Sequence, residues 1–418
     1  GDQRIPALTQ VLADAQPQLN RAAVSFNTLV TTRQQLSDTS QYPYTAQQLL
    51  ELFDQYAPLA QDGLYVAPTL PAILGQEGTR QYLIVAQNEE ELRPTGGFIS
   101  GVGLLTIDQG NIVSLDFEDA YQVDNLDNLA AYGWPPDPLR TFMSSDYFLF
   151  RDSNFWPDFP TSAEQMISLY AQGTGITPDG VIALDQRFLE LFIIALDPVE
   201  VPELGITLTR GNVREALRGA WETGDEDELW LTSRKSFMGP MANNILQKLL
   251  QEPTSLDPLA LADALQQTLQ SKHLQLYMVD SAVNDRLTAV GWTGQARPLP
   301  NQDNLFLVDT NLGFNKINAI TEKTVVYELS LENPAAPQAT LTTTYHNAST
   351  GTRSCADIAI AYTVQESIDY EELLDVCYRN YIRLYTPLGT QLLNASEHPI
   401  PAEYMLSETA WAGEAQTI

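Results

Sequence analysis

The chain has 418 residues, a length that suits two or three domains. Hydrophobic residues make up 44% of it, which excludes a largely disordered chain and supplies more than one buried core. Against 22 basic residues stand 53 acidic ones, a formal net charge of −31 that repels phosphate backbones and excludes nucleic acid as a natural partner.

From the N-terminus, residues 6 to about 75 read as helical. Leu8, Val11, Leu12, Leu19, Ala22 and Ala23 recur at helical spacing, continued by Phe26, Leu29 and Val30. Ser40, Tyr42 and Pro43 interrupt the stripe, and Leu49, Leu50, Leu52 and Phe53 resume it, the pattern of an antiparallel helical hairpin or stalk. Tyr82–Ala86, Phe98–Ile107 and Ile112–Phe117 are strand-like, the last two joined by an Asp108-Gln109-Gly110-Asn111 turn. A proline-rich stretch over 120–160 follows. Thr161-Ser162-Ala163-Glu164 then predicts a capping box and a helix running to Gln172, with Gly173 ending it. Further on, Asp179–Leu184 reads as a strand, and Gln186–Ala195, Thr209–Trp221 and Leu229–Leu250 as helices. Asp257-Pro258 caps another helix to Leu269, and His273–Val279 and Leu305–Val308 are strands. The alternation predicts an α/β domain over 76–320. Beyond it, Val325–Leu329, Ala339–Tyr345, Ile358–Val364 and Tyr381–Thr386 predict a small antiparallel β-sandwich over 321–418, so the fold class expected is a multidomain α/β (α+β) chain.

Cys355 and Cys377 are the two cysteines of the chain. An exported protein would join them as a disulfide worth roughly 3 kcal/mol, and the alternative is two separate buried thiols. No run of eighteen apolar residues is present to span a bilayer, and the sequence opens at Gly1-Asp2 without a basic-then-apolar leader, which reads as a processed or trimmed start. Two Asn-x-Ser sites, at Asn347 and Asn394, agree with export.

Three segments could carry chemistry. In 87–98, Arg93, Thr95, Gly96 and Gly97 lie between two strands. The glycines admit a tight turn or a close ligand, and Arg93 can clamp a phosphate or carboxylate, or pair with Glu90 or Glu91. In 151–160, Asp152, Asn154 and Asp158 can ligate a hard cation; alternatively Asp152 caps a turn and Asp158 caps the entry to the following helix. Arg234 and Lys235 can join Arg93 around an anion, or pair with the acidic run 225–228. His273, His346 and His398 stand in separate contexts, so no histidine triad is expected.

Four segments resemble one family, the domain-of-unknown-function family 4012: Tyr82 to Asn88 with Glu91 to Ile99, Asp152 to Ala163, Asp179 to Asp185, and Asp309 to Lys316. The resemblance implies a bacterial protein held outside the cell by a membrane helix. It also implies a core similar to the LytR-CpsA-Psr domain, whose members transfer glycopolymers from polyprenyl pyrophosphate using arginines and often magnesium. On that likeness Arg93 and Arg234 would hold pyrophosphate and Asp119 or Asp152 magnesium, although Glu118-Asp119 stands where the relatives carry an arginine-aspartate pair. Two functions follow: a binding or structural envelope protein engaging glycopolymer, polyprenyl lipid or neighbouring subunits, or a phosphotransferase on a lipid-linked glycan.

Overall fold

The computed structural model describes residues 4–36, 38–222, 237–252, 256–296, 303–351, 353–354, 357–358, 368, 370–395, 409–410 and 415–417. The fold is mixed α and β in two compact units that interleave along the chain. Unit 1 comprises 1–87, 99–128 and 150–296, and unit 2 comprises 88–98, 129–149 and 297–418.

Unit 1 begins with helices α1 (Arg4–Asp14), α2 (Gln16–Gln34) and α3 (Tyr44–Val66). The expected hairpin forms between α2 and α3. Phe26 meets Phe53 at 5.9 Å between ring centroids, and Gln61 donates to Asn27 at 2.7 Å. None of the described side chains of α2 is buried. The hairpin is instead tied down through α3, whose Val66 enters a core with Tyr82, Ile107, Met278, Val283 and Leu287.

The central sheet has the order β3-β2-β1-β4-β7, with β1 at Arg80–Asn88, β2 at Phe98–Asp108, β3 at Asn111–Asp119, β4 at Gly180–Asp185 and β7 at Leu274–Met278. The β2–β3 hairpin turns where the sequence placed it: Asp108 pairs with Asn111, and Gln109 and Gly110 take φ of 47° and 79°. β1 and β4 run parallel, and β7 lies antiparallel to β4. After β4 come α7 (Gln186–Leu196), the short pair β5 (Val199–Val201) and β6 (Ile206–Leu208), α8 (Val213–Glu222), α9 (Met238–Gln251) and α10 (Pro258–Gln270). Ile193, Leu196, Val201, Leu208, Leu217 and Met241 form their common core. Asp257 caps α10 through the N–H groups of Leu259 and Ala260, as the sequence indicated. Helix α11 (Ser281–Ala289), capped by Asp280, and the β5–β6 pair were not read from the sequence.

Helices α4 (Leu70–Ile73), α5 (Asp137–Met143) and α6 (Phe159–Thr174) complete the first half of the chain. α6 departs from the predicted capping box. Its N-cap lies three residues earlier, at Asp158, which accepts from the Thr161 N–H, and its C-cap is Gly175, whose φ is 79°. Gly173 lies inside the helix, where a Cβ would come 2.0 Å from the Val123 carbonyl, so close approach and not termination requires it.

Unit 2 contains β8 (Phe306–Asn311), β9 (Thr321–Ser330), β10 (Gln338–Asn347), α12 (Tyr370–Leu374), β11 (Asn380–Pro387), β12 (Thr409–Ala410) and β13 (Ala415–Thr417). The β-rich tail takes the form of two sheets, a ribbon of β9 with β10 and a four-stranded sheet in the order β12-β13-β11-β8. β8 pairs antiparallel with β11 along six residue pairs. Ile317, Ile358, Ile368, Leu373 and Val376 form the unit's core. Most of the expected strand at 358–364 lies outside the described residues.

Candidate functional site

In unit 2 the 88–98 connection folds back on itself. Phe98 donates its N–H to the Glu91 carbonyl at 2.8 Å, Glu91 to that of Asn88 at 3.2 Å and Gly96 to that of Arg93 at 3.0 Å. The two glycines do different work. Gly96 has φ of 138°, which side chains rarely adopt, and a Cβ on Gly97 would stand 2.2 Å from the Asn88 carbonyl oxygen. Thr95 is buried beside them.

Arg93 is 4% exposed. Its guanidinium donates through Nη1 to the Asn311 carbonyl and through Nη2 to Glu91 Oε1 at 3.0 Å, and lies 5.3 Å from the Phe98 ring centre. Lys316 Nζ stands 3.6 Å from the second Glu91 oxygen, so one buried carboxylate lies between two cations. Nε of Arg93 has no hydrogen-bond partner. Around this pair the backbone is stitched by asparagines. Leu92 N–H donates to Asn318 Oδ1, Asn311 Nδ2 donates to both Asn315 Oδ1 and Asn318 Oδ1, and Asn315 Nδ2 donates to the Cys377 carbonyl. The signature segments 91–99 and 309–316 therefore meet at one place. Of the two options open to Arg93 in the sequence, pairing with Glu91 is the one observed. Arg234 and Lys235 lie outside the described residues, as does Cys355 and with it the expected bridge to Cys377.

In unit 1 three signature segments converge at the carboxyl edge of the parallel pair β1–β4. Gln87 is the register partner of Asp185, and buried Asn154 donates its amide to Gln87 Oε1 at 3.0 Å. Asp185 caps α7 by accepting from Phe188 N–H at 3.0 Å, and its other oxygen is 2.7 Å from His273 Nδ1. Carboxyl edges of parallel strands are the usual place for ligands in such sheets. His273 was missed as a site residue because its partner lies 88 positions away; the legible half was Asp185, an acid between a strand and a helix.

Asp119 and Asp152, read as magnesium ligands, lie near Arg151 in unit 1. Asp119 caps a short turn by accepting from the Tyr121 N–H at 3.0 Å. Asp152 lies 3.7 Å from Arg151 Nε, and the guanidinium stacks over the Tyr121 ring at 4.5 Å. Burial works against the charge on Arg151, but the fields of Asp152, Tyr121, Asp124 and Asp119 outweigh it and hold the group above its ordinary value. Burial, followed by the charge of Asp119, raises the Glu118 carboxyl. The acids here already have a cation in the guanidinium, and neither Asp119 nor Asp152 belongs to a group of three acids or histidines close enough to share an ion among the described residues. No helix among the described residues is long and apolar enough to cross a membrane.

Residues 77–220 match a family described as protein of unknown function (DUF4012). No curated protein matches the sequence. Among solved structures, protein gbs0355 from Streptococcus agalactiae is similar with 12% sequence identity, over 51% of this chain and 73% of that chain, at a TM-score of 0.29.

Proposed function

We propose, for a chain that over residues 77–220 belongs to the DUF4012 family, a binding or structural role at the bacterial cell surface. The observation that supports a binding or structural role over phosphotransfer is the engagement of Arg93. Its guanidinium is buried and spent on Glu91 and the Asn311 carbonyl, where a pyrophosphate clamp would need it turned to a ligand. The placement of Asp152 beside the Arg151 guanidinium is in keeping with this reading. On this reading the LytR-CpsA-Psr-like core keeps a fold while its arginines serve the interior. The partners are envelope glycopolymer, polyprenyl lipid or neighbouring envelope subunits. The surface location is part of the proposal and is supported by the family likeness of residues 77–220 and by the two Asn-x-Ser sequences at Asn347 and Asn394.

The test uses the full-length protein in its native host. An amine-reactive label that cannot cross membranes marks the chain on intact cells; labelling that needs lysis would refute the surface location. Lipid and glycan recovered with the purified chain are then measured by mass spectrometry for wild type and for Arg93→Lys. Equal recovery from both supports the structural role of Arg93. Selective loss of a pyrophosphate-linked lipid from a folded Arg93→Lys chain would establish the phosphotransferase reading instead.

A further inference from the structure

A pocket of about 250 Å³ opens in unit 1 at the amino-terminal edge of β1 and β4, remote in the sheet from the carboxyl edge that holds Gln87 and Asp185. Its apolar wall comes from Ile73, Met278, Val279 and Val283, and Tyr82 closes one side with its hydroxyl donated to the Ile73 carbonyl at 2.7 Å. Its charged groups are Arg80, Asp179 and Asp280. Asp179 accepts from Arg80 Nη1 at 3.0 Å and from the Gln81 N–H at 2.8 Å, which fixes the guanidinium against it. Asp280 is exposed and turns one oxygen to the N–H groups of Ala282 and Val283 as the cap of α11. Two carboxylates and one guanidinium leave the pocket with one net negative charge. Both acids act on the interior: burial first, then Asp179 and Asp280, push the Tyr82 hydroxyl well above its ordinary value, with Arg80 opposing.

We infer that this pocket binds a primary alkylammonium group, its short aliphatic stem against the apolar wall and its charge toward Asp280. Three observations favour that occupant over others. The volume lies below the roughly 300 Å³ at which sites for drug-sized ligands begin, so it suits a group the size of a side chain. Apolar wall and charged rim are the two halves of an amine on a hydrocarbon stem. The local charge and the −31 of the whole chain both attract a cation and repel a carboxylate. The amine can be a free small molecule or a lysine side chain, since the chemistry presented is the same.

The probe is n-butylamine, titrated at neutral pH into the intact chain and followed by the methyl signal of Met278, assigned with Met278→Leu. Sodium butyrate and butan-1-ol serve as controls, and N-acetyl-lysine methylamide tests whether a peptide backbone is tolerated at the mouth. Saturable binding of butylamine, with butyrate and butanol at least several-fold weaker, supports the inference. If the lysine derivative binds as well, the occupant is peptide-borne; if it does not, a free amine. Asp280→Asn preserves the helix cap, because asparagine caps as well as aspartate, and removes only the charge. It should weaken butylamine roughly fivefold, the scale of one partly exposed ion pair, and leave butanol unaffected. Equal binding of butanol and butylamine, no binding at all, or an unchanged butylamine affinity in Asp280→Asn would each overturn the proposal.

Discussion

Arg93 and Glu190 show how a buried charge is held in this chain. Arg93 is enclosed with Glu91, and truncation to alanine would leave that carboxylate buried with only Lys316 at 3.6 Å to answer it. Removing one partner of a buried pair costs about 3 kcal/mol or more. Arg93→Ala should therefore lower the unfolding free energy read from urea denaturation by about that amount, with a lower midpoint, and Glu91→Gln combined with Arg93→Met should cost less than the single change because no charge is stranded. An unaltered midpoint in Arg93→Ala would show that the guanidinium contributes no tie. Glu190 is buried and accepts from Arg187 at 2.7 Å and from Arg214 at 2.6 and 3.0 Å. Burial raises its carboxyl, but the hydrogen bonds from Arg214 and Arg187 outweigh that and hold it below the ordinary 4.5. A depressed carboxylate contributes stability that is present above the unfolded value and is lost as pH falls through the folded one. The gap in thermal midpoint between wild type and Glu190→Gln should thus be wide at neutral pH and close in the acid region below 4.5. At this scale the sequence showed Arg93 with Glu91 beside it, because both stand in one short segment. It could not show Asn311, 218 residues away, whose carbonyl decides where the guanidinium points.

Helix α6 carries the same lesson one level up. Asp158 Oδ2 accepts from the Thr161 N–H at 3.2 Å and its hydroxyl at 2.7 Å, while Oδ1 accepts from the Ala296 N–H at 3.0 Å. The cap therefore holds a second segment as well as the first turn. Asp158→Ala should cost more than the ~1 kcal/mol of an ordinary cap, since the Ala296 N–H also loses its partner. Thr161→Ala should cost less than half as much. Urea unfolding of the two variants checks the order, and equal costs would show that the link to Ala296 adds nothing. The sequence offered Asp158 and Thr161 as rival caps, and the pattern Thr161-x-x-Glu164 favoured the wrong one. The deciding residue was Pro160, which fits the first turn of a helix and so places the start ahead of itself. Glu164, freed from capping, accepts instead from the Tyr277 hydroxyl at 3.0 Å, a partner 113 residues away. Strong local signals, such as the Gln109-Gly110 turn and the Asp257-Pro258 start, were read correctly because their physics closes within four residues.

For the molecule as a whole, composition gave charge and class, and periodicity gave the α/β and β-rich parts. The pairings that build them were hidden, because a parallel partner such as β4 for β1 lies about a hundred residues off and a two-residue period does not identify it. The same applies to β8, whose six pairs with β11 are set by side chains of both strands. Charge has a consequence at this scale that no single pair expresses. Even if every lysine and arginine met an acid, 31 negative charges would remain without a counterpart. Folding brings them closer than they are in the extended chain, so their repulsion opposes the compact state. Salt screens charges beyond a Debye length of about 10 Å at 0.1 M, which acts on these distant repulsions more than on the buried Glu91–Arg93 contact. Raising sodium chloride from low millimolar to several hundred millimolar should therefore raise the thermal midpoint of the intact chain. In Arg93→Ala nearly the same increment should appear, since one charge beside the net −31 changes the long-range repulsion little. A midpoint that fell with salt would mean that exposed ion pairs such as Arg33–Asp54 outweigh the net repulsion, and the chain's excess of acid would then have to be held by bound cations in the folded state.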